Sequence, residues 1–413
     1  MNLLWLTLAD PEPATNGQFI YSRGLIQGAV AAGAAVHVVA LERPGPQRGD
    51  HPPSPRLSWA FAEHRPRTPC RGRLSRLPYM VSRVMTREMR SLVQAALDRA
   101  SWDAVVFDSL AHAWALGPII GRRWGPRGRP KLVYIAHNRE AQLALQGVHD
   151  DARPLHRMVK RVDARRVVRL ERALVEAADL VTANTPEDRQ QFQAEHPGGP
   201  VIFLPPGYDG VRCRARTITA DAPRRALIVG TFDWSTKRES LEAFLAVADR
   251  RFASAGIELM IVGSAEPAYL DRLRATVTAT RFTGRVEDVA PYFGQGRIAL
   301  VSDRHGGFKL KTLDYVFNRL PIAATAGAAP GLPLVPGESI LLAPDHAGLA
   351  QIVIETIDDF DRLNRIQNAA YCACQDRFDW SAVGARLLAA IDQARPGGLG
   401  LAARHLEANR PAR

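Results

Sequence analysis

The chain has 413 residues, a net charge of +12 and four cysteines. It is 46% hydrophobic and 23% charged, a folded composition too long for one ordinary core, so two domains are expected. The basic excess is mostly arginine and leaves phosphorylated ligands, anionic membranes and nucleic acid as possible partners. Cys70, Cys213, Cys372 and Cys374 form no Cys-x-x-Cys metal pattern and read as reduced thiols. The amino-terminal apolar run is too short for a signal peptide, and none approaches the roughly 20 residues of a membrane span, which predicts a cytoplasmic protein.

Strand-like and helix-like runs alternate along the chain, the pattern of parallel sheets with crossover helices. Leu3–Leu8 reads as a first strand, then a proline-rich loop ends in Thr15-Asn16-Gly17, and a helix runs from about Phe19 to Ala32. Asn16-Gly17 fits an anion seat or an ordinary N-cap with a turn glycine. Val36–Leu41 is the next strand. Residues 42–76 read as irregular, and 77–100 as one basic amphipathic helix. Arg65, Arg67, Arg71, Arg73, Arg76, Arg83, Arg87 and Arg90 fit an anionic membrane surface or a solvated helix face. Ala104–Asp108 is a strand, followed by a helix to about Arg123. Lys131–Ile135 ends in Ala136-His137-Asn138, polar residues at the carboxyl end of a strand, where open α/β sheets bind ligands. His137 fits either a catalytic or a structural role. Arg157–Ala178 is a long helix with a basic first half, and Leu180–Asn184 and Val201–Leu204 complete the sheet.

A polar, proline-rich stretch follows, and Ala226–Gly230 opens a second α/β series. Within it, residues 298–332 read as strand, glycine loop, helix, strand, glycine loop. Gly306 and Gly307 let backbone N–H groups approach a ligand, and Lys309 and Lys311 add full charges at a helix start, where the dipole favours an anion. Asp314, one turn on, suits a sugar hydroxyl. The simplest ligand with that pattern is a diphosphate joined to a ribose. Asp359-Phe360-Asp361 has the spacing of a metal-binding pair but reads as solvated carboxylates, so no metal site is expected. No Gly-x-Gly-x-x-Gly follows either opening strand, which argues against a nicotinamide dehydrogenase, and no Walker P-loop is present.

In order and spacing, LLWLTLADPEPATNGQFIYSRGLIQGAVAAG, YIAHNRE, ERALVEAADLVTANTPED, VIFLPPGYD, ALIVGTFDWSTKRESLEAFL, IELMIVGSAEP, FTGRVEDVAPYF, GGFKLKTLDYVFNRLPIAATAGAAPGL and RFDWSAVGARL resemble the GT-B glycosyltransferases, in particular the group-1 (family-4-like) set. The resemblance implies an α/β fold of two Rossmann-like domains facing across a cleft. Residues 1–207 would bind the acceptor, 208–223 link, and 224–379 bind the nucleotide sugar. A helix at 380–395 would cross back to the first domain, and 396–413 is a weakly ordered tail. The resemblance gives Gly17 to the loop near the donor phosphates and His137 to a histidine that contacts the transferred sugar. It gives Gly230 and Thr231, with Lys237 or Arg238, to a diphosphate loop. Gly306, Gly307, Phe308, Lys309, Lys311 and Asp314 fall in the donor segment, with His137 and Lys311 as the catalytic pair. The family's glutamate-x7-glutamate pattern is broken: its first position falls on Gly306, its second on Asp314. The implied reaction moves a sugar from a nucleoside diphosphate to an acceptor hydroxyl with retention and without metal or cofactor. A carbohydrate or lipid-linked acceptor is expected, and nucleic acid is not. A sugar-nucleotide epimerase and a non-catalytic carbohydrate- or membrane-binding relative are the alternatives.

Overall fold

The structure is a computed structural model, and it describes residues 1–43, 49–63, 75–126, 128–149, 153–233, 235–303 and 307–397. The chain divides into two compact units, Met1–Gly207 with the chain from Asp379 onward, and Tyr208–Phe378.

The first unit holds seven parallel strands: Asn2–Ala9 (β1), Ala35–Leu41 (β2), Leu57–Ala62 (β3), Ala104–Asp108 (β4), Lys131–Ala136 (β5), Leu180–Ala183 (β6) and Val201–Phe203 (β7). Their order is β3-β2-β1-β4-β5-β6-β7. The central strands are continuous apolar runs because both faces of the sheet are covered. Leu4, Leu6, Val105, Phe107, Leu132 and Tyr134 enter one core, while Leu3, Trp5, Ala104, Val106, Val133 and Ile135 enter the other. The helices Gly17–Ala31 and Trp380–Gln393 pack against each other through glycine. A Cβ on Gly384 would stand 2.1 Å from the Gly28 carbonyl oxygen, and one on Gly24 would overlap the Trp380 ring.

The second unit repeats the plan with six parallel strands: Arg225–Val229 (β8), Glu258–Val262 (β9), Thr280–Gly284 (β10), Ile298–Val301 (β11), Ile322–Thr325 (β12) and Leu341–Ala343 (β13). The order is β10-β9-β8-β11-β12-β13. In both sheets the strand order reverses beside the first strand, between β1 and β4 and between β8 and β11. Loops leaving the carboxyl ends at such a point part in opposite directions and open a crevice.

Several expectations are corrected. Residues 42–76 contain β3, an edge strand only partly buried, so its apolar signal is weak. The helix expected over 77–100 is two, Tyr79–Val84 and Arg87–Arg99, because Thr86 starts the second by accepting the Met89 N–H at 3.0 Å. After β4 comes a 3₁₀ turn, Leu110–Ala115, and a short helix, Leu116–Ile120, rather than one helix. Glu140–His149 and Pro186–Glu195 are further helices not among those expected. The donor-segment helix spans Lys311–Phe317, two turns at most, so its dipole contributes less than the lysines.

Candidate functional site

At the switch point of the second unit, β8 runs into Gly230 and Thr231, and β11 into Ser302 and Asp303. Tyr315, on the Lys311–Phe317 helix, accepts the Val229 N–H at 2.8 Å and ties that helix to the end of β8. Gly263, at the end of β9, has φ +138°, and a Cβ there would lie 1.8 Å from the Gly230 carbonyl oxygen. Only glycine permits that approach.

Asp303 is the centre of the charge pattern. The Lys311 ammonium donates to its carboxylate in a short ion pair, with about a sixth of each side chain exposed. Burial alone would raise the Asp303 carboxyl, but Lys311, Lys309 and Lys237 together pull it down to about 2. Burial and the nearby Lys311 charge both lower Lys237, whose ammonium lies 3.5 Å from the Thr231 hydroxyl. Three lysines therefore act on the Asp303 carboxylate, and Asp233 adds a second negative charge near Lys237. Arg238 is engaged elsewhere. It donates to the Phe232 carbonyl at 2.7 Å, pairs with Glu266 and lies over the Tyr269 ring. Of the two expected alternatives, Lys237 is the one beside Lys311.

Asp314 lies one turn beyond Lys311. Burial pushes its carboxyl up to about 7, with the Tyr208 hydroxyl pulling the other way. Phe308 is half-buried against Phe378, ring centroids 5.9 Å apart, and Gly307 is buried. Gly306 lies outside the described residues.

In the first unit, His137 follows β5 as expected. Its Nε2 stands 2.5 Å from Asp108 Oδ1, and Asp108 also accepts the Trp5 indole N–H at 2.9 Å. Burial acts to raise the Asp108 carboxyl, yet the His137 charge and hydrogen bond bring it below the ordinary value. Tyr21 meets the His137 ring edge-on at 5.1 Å, and Asn184 donates to its carbonyl at 2.7 Å. Nε2 is thus committed to Asp108, which leaves Nδ1 for a ligand. Ser109, next to Asp108, has φ 83°, uncommon for a residue with a side chain and typical of strained functional turns. Gly17 is exposed in the first turn of its helix, capped by Asn16, whose Oδ1 accepts the Phe19 N–H at 3.1 Å. The preceding loop is braced by Arg43, which donates to the Pro13 carbonyl at 2.6 Å and to the Thr15 hydroxyl at 3.2 Å.

Asp303, Asp108, Gly263 and Arg43 escape a sequence reading. Only Asp303 leaves a trace, a carboxylate just past an apolar strand. Elsewhere, Asp359 caps the Phe360–Cys374 helix by accepting the Arg362 N–H at 3.0 Å, a structural task. Of the arginines in the 65–90 region, Arg65, Arg67, Arg71 and Arg73 lie outside the described residues. The apolar side of residues 77–97 is buried in the core through Val81, Val84, Met89 and Val93, so it faces inward. Among the described residues no helix is long and apolar enough to cross a membrane.

The model of the family described as Glycosyltransferase Family 4 matches residues 15–212, and that described as Glycosyl transferases group 1 matches 223–359. No curated protein sequence matches the chain. Among solved structures, sucrose-phosphate synthase from Thermosynechococcus elongatus is similar, with a TM-score of 0.71 at 18% identity over 95% of this chain and 98% of that one. Anabaena HepE in complex with UDP-glucose gives 0.60 at 16% identity, over 95% and 99% of the two chains. WaaG, a glycosyltransferase involved in lipopolysaccharide biosynthesis, gives 0.63 at 15% identity, over 96% and 100%. These likenesses establish the fold, two Rossmann-like α/β units of the GT-B type. With the two family matches spanning most of its length, the chain belongs to the group-1, family-4-like glycosyltransferases.

Proposed function

We propose that the protein transfers a glycosyl group from a nucleoside diphosphate sugar to an acceptor hydroxyl, on a carbohydrate or lipid-linked acceptor in polysaccharide or glycoconjugate biosynthesis. One observation carries this reading: Lys237, Lys309 and Lys311 around Asp303 at the switch point of the second unit. Such a cluster suits a diphosphate better than any neutral ligand. In the reaction the acceptor oxygen bonds to the anomeric carbon while the bond from that carbon to the diphosphate oxygen breaks. The electron pair leaves with the diphosphate, and the acceptor proton passes to it or to solvent. Negative charge grows on the leaving group, where fixed cations lower the barrier most. Lys311 and Lys309, with Lys237 behind them, are assigned that task. Gly230 and Gly307, which carry no side chain, are assigned to backbone contact with the phosphates, the Thr231 hydroxyl to one of their oxygens, and Asp314 to a ribose hydroxyl. Gly17 is assigned to the phosphate side of the first unit's loop. His137, with Nε2 held by Asp108, offers Nδ1 to a hydroxyl of the transferred sugar, a positioning role.

The lysines supply the positive charge the leaving group needs, so turnover is expected to survive a chelator. Retention of anomeric configuration follows the resemblance and is read from the product linkage by NMR. The first experiment is a panel of nucleoside diphosphate sugars scored by thermal shift, since a ligand at 100 times its Kd stabilises by about 2.7 kcal/mol. The same panel is then assayed for transfer. No shift with any nucleoside diphosphate sugar overturns the proposal.

A further inference from the structure

The helix Pro154–Ala177 has two unlike halves. Its second half is core, with Ala164, Val167, Leu170, Leu174 and Val175 buried. None of the residues from Pro154 to Asp163 is buried. Yet this half carries Leu155, Met158, Val159 and Val162, exposed by 79%, 60%, 41% and 45%. Their spacing, i, i+3, i+4, i+7, puts all four on one face. Single exposed apolar residues are ordinary, but an uninterrupted stripe on one helix is a binding surface.

Beside the stripe, Arg157, Arg161 and Arg165 stand one turn apart and are exposed. Among the described residues none of the three makes an ion pair. With Leu145, Val148 and His149 of the neighbouring helix they line a cavity of about 320 Å³. The surface thus pairs an apolar face with a half-apolar pocket rimmed by three free guanidinium groups. From Pro154 to Arg166 the helix carries Arg157, Lys160, Arg161, Arg165 and Arg166 against one acid, Asp163. Asp163 is itself occupied, accepting the Tyr79 N–H at 2.9 Å.

We infer that this face docks on an anionic phospholipid surface, with the stripe at the acyl boundary and the arginine pocket on lipid phosphates. The charge pattern selects this occupant. A second copy of the chain would bring like-charged arginine rows together across a two-fold axis. A neutral apolar partner would leave three guanidinium groups without counter-charge. An anionic bilayer satisfies both chemistries, since arginine stems lie along apolar surface while their heads reach phosphate. The inference is independent of the donor-site reading.

The test is co-sedimentation of the full chain with vesicles of phosphatidylglycerol and phosphatidylcholine in equal parts, against phosphatidylcholine alone. Two variants accompany it, Met158→Ser/Val162→Ser and Arg157→Gln/Arg161→Gln/Arg165→Gln. All five positions are exposed, and circular dichroism checks that both variants fold. The parent is expected to partition at least about tenfold more strongly onto the anionic vesicles, with salt weakening it, and each variant to lose at least about tenfold. Equal partition onto both vesicle types, or variants that bind like the parent, would overturn the inference. So would sedimentation velocity showing a parent dimer that the apolar pair dissociates, which would assign the face to a second copy.

Discussion

Replacing Lys311 by alanine separates the two tasks assigned to that residue. Lys311 neutralises Asp303 in the resting protein and meets the diphosphate during transfer. Removing one preorganised donor to a developing anion costs about 2.7–4 kcal/mol, or 10²–10³ in kcat. Because Lys237 and Lys309 remain within reach of the same charge, the lower end, roughly 10²-fold, is expected here. The stability cost follows separately. Breaking a fully buried ion pair costs about 3–5 kcal/mol, but this pair is partly solvated and two lysines still offset Asp303, so about 1–2 kcal/mol is expected. Adding Asp303→Asn to Lys311→Ala removes the orphaned carboxylate and should restore most of the stability. It should not restore turnover, because the leaving group still lacks its cation. Initial rates with the best donor of the panel and urea unfolding of the single and double variants measure both quantities. A single variant within about twofold of the parent rate, or a double variant that recovers activity, would refute the reasoning.

Three further outcomes follow from the geometry. Asp314, with its carboxyl pushed up to about 7, favours the protonated form on folding, so its contribution is present at low pH and is lost as pH rises from the unfolded value near 4 through 7. Asp314→Asn should therefore reduce the loss of stability between pH 4 and 8, on the order of 1–2 kcal/mol, and equal pH slopes in parent and variant would contradict this. Gly384→Ala should destabilise by about 1–3 kcal/mol because its Cβ would meet the Gly28 carbonyl oxygen, as a lowered urea midpoint would show. Asp108→Asn should cut kcat by roughly 10-fold or more while leaving nucleoside diphosphate affinity unchanged, since it loosens His137 and not the lysines.

The parts of the fold that were legible in the sequence are those whose signal is local. β1, β4, β5, β8 and β11 are apolar runs because helices cover both sheet faces, and such runs stand out in a window of a few residues. β3 does not, since an edge strand is covered incompletely and mixes Ser58 and Ala60 with Trp59 and Phe61. Pro186–Glu195 buries only Phe192 and lacks an apolar stripe, while in Glu140–His149 the helical spacing of Ala141, Ala144, Leu145 and Val148 is a weak signal because half of it is alanine. The same division applies to the site. Lys309, Lys311 and Asp314 lie within six residues of one another and were visible together. Asp108 reaches His137 from a strand 29 residues earlier, and Gly263 meets Gly230 across two strands, pairings set by strand order. Lys237 and Arg238 were inseparable for a related reason. One residue along a helix is a turn of about 100°, and sequence spacing alone does not fix which of two neighbours faces inward.

Asp303 resolves a difficulty that the lysine cluster creates. Three ammonium groups at one strand end repel, and the depressed Lys237 records both that repulsion and its burial. Without a counter-charge, folding would have to discharge or expose one of them. Asp303 supplies that charge while the donor is absent, but the diphosphate must then compete with it for Lys311. At an effective dielectric of about 20, unit charges about 5 Å apart interact by roughly 3 kcal/mol, and partial solvation reduces that to about 1.4. Asp303→Asn is therefore expected to bind nucleoside diphosphate about tenfold more tightly while unfolding at lower urea than the parent. Isothermal titration measures the first and chemical denaturation the second. Weaker binding in that variant would mean that Asp303 holds Lys311 in its productive position, and the competition argued here would be wrong.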